Sequence, residues 1–214
     1  MNEPFIFYTR FNLVRLLGIK VCSPAELLVG IKSVPLSSIY YHTHRFLQQH
    51  NCLSPEPPND FAYWLTNTVN MKELGEAFAS IDTVSYDTLE GIRSVFVNTL
   101  ENYLSKGRQS PLCAPGEEFH FMSCTTFVIS TGSEAAGLAE LADNIKKISV
   151  DSLYYHMFEA RLRLGKGGND FARWCDSINE KTLAAQLRKL DPYTCTLETL
   201  RARILYLISE YAEH

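Results

Sequence analysis

The sequence predicts a mainly α (α+β) protein made of two tandem homologous repeats. Each repeat is expected to be a short N-terminal β element followed by about five helices, with the copies arranged pseudo-twofold. Three observations carry this. The same ordered motifs occur twice at nearly constant offset. Apolar residues recur at helical spacing over most of the chain. Each copy opens on a stretch rich in aromatic and β-branched residues.

The duplication is legible residue by residue. Shifting the chain by 114 residues places Phe5 on Phe119, Phe7 on Phe121, Val14 on Val128 and Gly18 on Gly132. The same shift places Ala25–Leu27 on Ala139–Leu141, and Tyr40-Tyr41-His42 on Tyr154-Tyr155-His156. A four-residue deletion then aligns "NDFAYW" (Asn59–Trp64) with "NDFARW" (Asn169–Trp174). Two further single-residue shifts align "TLEGIR" with "TLETLR". Repeat 1 therefore covers 1–104, a Pro/Gly/Ser-rich linker covers 105–117, and repeat 2 covers 118–214.

The elements follow in order. The openings "FIFYTRFNLVRLLG" and "FHFMSCTTFVISTG" read as short strands or a hairpin ending at Gly18 and Gly132. Ser23-Pro24-Ala25-Glu26 is a capping box with proline at the first helical position, and Gly137 with Glu140 is its weaker counterpart. A second helix starts near Ser37 or Asp151, with Ile39, Phe46 and Leu47, or Leu153, Met157, Ala160 and Leu164, as its apolar set. Asn59 and Asn169 are N-caps of a third helix, and the aspartate after each favours the helix dipole. A fourth helix is expected over 71–81 and 180–190. A fifth runs from about Asp87 to Leu104, with a core stripe from Leu89 through Ile92, Phe96 and Leu100, matched by Leu197, Leu200, Ile204 and Ile208. About 60% helix results, against a usual third.

"SSIYYHTHRF", "NDFAYW" and "TLEGIR", with their second copies, resemble an uncharacterised prokaryotic family of tandem YYH…NDFAxW helical repeats, proteins of unknown function. The resemblance covers nearly the whole chain. It implies a prokaryotic, cytoplasmic protein with these repeat boundaries, and it brings no activity, cofactor or site residue with it.

Composition narrows the chemistry. The chain has 214 residues and net charge −4, with no basic stripe of the kind nucleic acid requires. No apolar run approaches the roughly 20 residues of a membrane span. The N-terminus lacks the basic and apolar regions of a signal peptide. The six cysteines form no C-x-x-C pair, so reduced thiols in a cytoplasmic protein are expected. Partners are expected to be a protein or a small ligand, without nucleic acid or membrane. No cofactor fingerprint is present.

Candidate residues are few. His42 and His44 suggest a metal site. Residues two apart on an α-helix point about 200° from one another, however, so they cannot share an ion. Phe158 also replaces the second histidine in the other copy, and no metal is expected. His42 with Asp60, and His156 with Asp170, are the acid–base candidates, the carboxylate orienting the imidazole if the second and third helices pack together. The bland alternative is a half-buried histidine bonded to a backbone carbonyl or a helix end. Tyr41 and Tyr155 are ligand-binding candidates, because adjacent tyrosines on an α-helix cannot both face the core. Arg161, Arg163 and Lys166, ahead of Gly167-Gly168-Asn169, are candidates for holding an anion.

Two functions compete. The first is a non-catalytic binding or regulatory module using helix faces or the inter-repeat seam. The alternative is an enzyme using His/Asp acid–base groups on an anionic or sugar-like substrate. They part on one point: catalytic histidines converge on an open pocket, whereas structural ones are buried and bonded to backbone.

Overall fold

A computed structural model describes residues 3–45, 58–83, 85–108, 110–160, 168–190 and 195–212. Among the described residues it contains ten α-helices and a two-stranded antiparallel sheet, and it is 58% helical. The β content differs from expectation in form. Strands β1 (Phe5–Val21) and β2 (Phe119–Ala135) are each one element of 17 residues that runs straight through its glycine. Gly18 and Gly132 both sit at φ +74°, the left-handed conformation of a glycine bulge. Such a residue bends a strand without ending it, which is why the glycines did not act as stops.

The described residues group into two compact units. One, here the C-terminal unit, holds β1 up to Phe11 and everything described from Thr126 onward. The other, the N-terminal unit, holds the described residues from Asn12 through Thr125. Each unit therefore takes its opening strand segment from the other half of the sequence.

In the N-terminal unit, α1 (Pro24–Ser33) leads to α2 (Leu36–Tyr40), which continues as a π-helical turn over Tyr41–Arg45. Ser23 Oγ accepts from the Glu26 amide, and the Glu26 carboxylate accepts from the Cys22 amide, one residue ahead of the usual reciprocal bond. Helix α3 (Asp60–Tyr63) runs into a second π-helical turn at Trp64–Thr68. Helices α4 (Lys72–Ala79) and α5 (Leu89–Leu104) complete the unit. Its core joins Ile31, Phe61, Phe78, Phe96 and Leu100 to Phe119 and Phe121 from β2. Gly30 makes room for that strand: a Cβ there would lie 2.4 Å from the Phe121 ring.

In the C-terminal unit, α6 (Leu138–Lys147) precedes α7 (Val150–Tyr154), whose continuation over Tyr155–Glu159 is again π-helical. Helices α8 (Asp170–Ser177), α9 (Lys181–Lys189) and α10 (Leu197–Ala212) come next. The core joins Ile145, Leu153, Phe171, Leu187 and Ile204 to Phe5 and Phe7 from β1. The third-helix caps are as the sequence predicts. Asn59 Oδ1 accepts from the Ala62 amide at 2.8 Å, and Asn169 Oδ1 from the Ala172 amide at 2.8 Å. Each asparagine also donates through Nδ2 to a carbonyl of the next helix, Phe78 or Leu187. One buried residue thus starts a helix and ties it to its neighbour.

Candidate functional site

The site follows from where the π-helical turns put the Tyr-Tyr-His segments. In the C-terminal unit, His156 lies beside the opening segment of β1. Its Nε2 accepts from the Tyr8 amide at 2.9 Å, and its Nδ1 lies 2.8 Å from Asp170 Oδ2. In the N-terminal unit, His42 Nε2 accepts from the Met122 amide at 2.9 Å, and its Nδ1 lies 2.6 Å from Asp60 Oδ2. A backbone amide can only donate, so Nε2 carries no proton and Nδ1–H donates to the carboxylate. The tautomer is set by the strand.

Both rings are 1–2% exposed. They sit among aromatics: His156 against Phe5 and Phe171 with ring centres 5.0 and 5.4 Å away, His42 against Phe119 and Phe61 at 4.7 and 5.3 Å. The sequence brings His and Asp together as anticipated, since the second and third helices pack. The burial is deeper than half, and the backbone partner is an amide of the exchanged strand, not a carbonyl. No side-chain signal marks that partner in the sequence, because any residue except proline supplies it.

Further bonds hold the strand. Ser152 Oγ donates to Tyr8 O at 2.6 Å, so the Tyr8 residue is gripped at both its amide and its carbonyl. Ser38, the equivalent, is fully buried and has no hydroxyl partner among the described residues. Trp174 Nε1 donates to Glu3 O at 3.0 Å, and Trp64 Nε1 to Glu117 O at 2.9 Å. Both tryptophans are core anchors whose polar edge ties down the chain ahead of a strand.

The paired tyrosines take different positions. Tyr154 is enclosed in the core, whereas Tyr155, though largely buried, also lines an open groove. They occur where α7 becomes π-helical, and adjacent residues there still point in clearly different directions. Tyr154 stacks on Phe158 at 4.4 Å beneath the Arg10 guanidinium, and burial raises its phenol well above the usual range. Tyr155 faces Tyr8 instead, with ring centres 6.3 Å apart. Tyr41 is half-buried. Burial raises its phenol, the Asp60 charge adds to this, and Arg45, which hydrogen-bonds to it, opposes. The π-helical turn is only slightly wider than an α-helical one, so His42 and His44, two residues apart, still point to nearly opposite sides. His44 stacks on Tyr40 at 5.7 Å and lies 3.0 Å through Nδ1 from Thr43 Oγ1, while His42 is committed to Asp60. Among the described residues no group of three or more His, Cys, Asp or Glu side chains is placed to hold a metal. Arg161, Arg163 and Lys166 lie outside the described residues.

The sequence did not signal a groove of about 620 Å³ in the C-terminal unit. It is lined by Phe5, Tyr8, Tyr155, Asp170, Arg173 and Trp174, with the edge of His156 beneath. A buried charge pair, Arg10 with Glu159, lies in the same unit. Its residues are Cys124 and Arg45 in the sequence alignment, so nothing in the duplicated pattern pointed to it.

The fold and site define a class: a helical α+β protein whose histidine–aspartate pairs fasten β-strand to helix, with an open groove over one of them. The chain belongs to a family of unknown function (DUF5752), whose model matches residues 2–209. It is similar to the solved structure of OrfY from Thermoproteus tenax, at 26% identity and TM-score 0.79, over 97% of this chain and 95% of that one. No curated protein matches it. Among the described residues no helix is long and apolar enough to cross a membrane.

Proposed function

We propose that the protein is a non-catalytic binding or regulatory module that recognises a protein or a small ligand, and that the groove over Tyr8 and Tyr155 receives it. The observation that carries this is the state of the imidazoles. Each histidine has both ring nitrogens engaged inside the core, so Nε2 can take a proton only by releasing its strand amide and Nδ1 can give one only by breaking its bond to the aspartate. The same reading takes the two halves as tandem repeats in pseudo-twofold arrangement and the protein as cytoplasmic. The recurrence of the Asn cap, the His–Asp pair and the Trp–carbonyl bond supports it. The enzyme reading needs a reachable histidine, and the burial of both weighs against it.

The groove suits a ligand with a flat or apolar body and a polar edge. Tyr8, Tyr155 and Trp174 offer aromatic surface, and Arg173 and Asp170 offer opposite charges. A thermal-shift screen of metabolites, run with a pull-down, tests the reading. A hit whose shift disappears in Arg173→Ala, an exposed position whose loss leaves the core intact, supports it. Turnover of any hit that His156→Gln abolishes would overturn it in favour of catalysis.

A further inference from the structure

A pair of thiols lies outside this site. Cys22 follows the last residue of β1, immediately before the Ser23 cap of α1. Cys113 belongs to the segment that leads into β2. The Cys113 amide donates to the Cys22 carbonyl at 2.7 Å. Two residues joined by one such bond have Cα atoms at most about 6.5 Å apart, inside the roughly 6.8 Å limit of a disulfide. The two thiols influence one another, the Cys22 thiol being among the causes that raise the Cys113 thiol above its usual range after burial. Both cysteines are free and partly exposed, whereas Cys124 and Cys175 are buried.

We propose that Cys22 and Cys113 form an oxidation site that closes to an intramolecular disulfide when a low-molecular-weight disulfide is supplied. The balance is that of thiol–disulfide exchange. The Cys22 thiolate attacks one sulfur of the oxidant, forming a mixed disulfide and expelling the first thiol. The Cys113 thiolate then attacks the Cys22 sulfur and expels the second. Two protein thiols are oxidised, one disulfide is reduced to two thiols, and the thiol protons pass to solvent and on to the leaving thiolates. Burial, and next the neighbouring Cys22 thiol, push the Cys113 thiol up to about 11. It holds its proton at neutral pH, so the second step is slow there and quickens as pH rises.

The consequence is structural. The bond would fasten the end of β1 to the segment that delivers Phe119 and Phe121 into the core of the N-terminal unit. It would also close a loop of about 90 residues, long enough to restrict the unfolded chain considerably.

The test treats the full chain with oxidised glutathione and maps non-reduced peptides by mass. A linked peptide pair containing Cys22 and Cys113 is expected, with Tm higher by about 10 °C and the rise reversed by a reductant. Cys22→Ser and Cys113→Ser should each lose both the link and the rise. The rate of closure from the mixed disulfide should grow roughly tenfold per pH unit between pH 7 and 9. A persistent glutathione adduct at Cys22, a link joining other cysteines, or an equal Tm rise in Cys113→Ser would overturn the proposal.

Discussion

Replacing His156 by phenylalanine keeps a ring of similar volume and removes both of its hydrogen bonds. The Tyr8 amide then loses its acceptor in a half-buried position, at about 1–3 kcal/mol. Asp170 loses a charge-assisted donor, but it is partly exposed at a helix N-terminus and rehydrates, which adds about 1 kcal/mol. The expected cost is roughly 2–4 kcal/mol, or a Tm lower by about 5–12 °C for a chain of this size. Hydrogen exchange gives the sharper readout. The Tyr8 amide should exchange roughly 30- to 1,000-fold faster, because each 1.4 kcal/mol is a factor of ten. The Met122 amide, held by His42, should be unchanged, and His42→Phe should reverse the pattern. His156→Gln, whose side-chain oxygen reaches the Nε2 position, should restore part of the Tyr8 protection. If Tyr8 exchange in His156→Phe stays within threefold of the parent, the strand is not held by this ring and the reasoning fails.

The two serines make a matched pair: Ser152→Ala should cost about 1 kcal/mol in urea unfolding by losing its bond to Tyr8 O, while Ser38→Ala should be neutral or slightly stabilising, since that hydroxyl is buried without a partner among the described residues. Arg10→Met leaves Glu159 buried beside an apolar side chain and should cost about 3–5 kcal/mol by the same assay, whereas Lys146→Met, which breaks an exposed pair with Asp143, should change stability by less than about 1 kcal/mol. Gly18→Ala and Gly132→Ala should each cost about 1–2 kcal/mol by thermal unfolding: nothing lies within 4 Å of either added Cβ, so only the left-handed backbone resists it.

Local chemistry was readable wherever neighbours in sequence supply both halves of an interaction. Asn59 caps Ala62 and Asn169 caps Ala172 three residues on, and Thr88 caps Gly91 in the same way. The stripes Ile92, Phe96 and Leu100, and Leu200, Ile204 and Ile208, are fully buried because i, i+4 spacing puts them on one face. The His–Asp pairs were accessible for a similar reason, since only 18 and 14 residues separate their members in sequence.

The sequence alone determined the helices, the asparagine caps, the duplicated order of motifs and the apolar helix stripes, because those depend on spacing along one segment. Which strand each histidine holds was decided only in three dimensions. Phe5-x-Phe7 and Phe119-x-Phe121 are alike in type and spacing, so their pattern fits either core equally well. Extension breaks the tie. A strand running from Phe7 to Val21 covers roughly 45 Å of chain, so Phe7 is carried away from α1, which begins three residues after Val21. The opening of each half therefore completes the unit built by the other, and the Tyr8 and Met122 amides arrive at His156 and His42 from distant sequence.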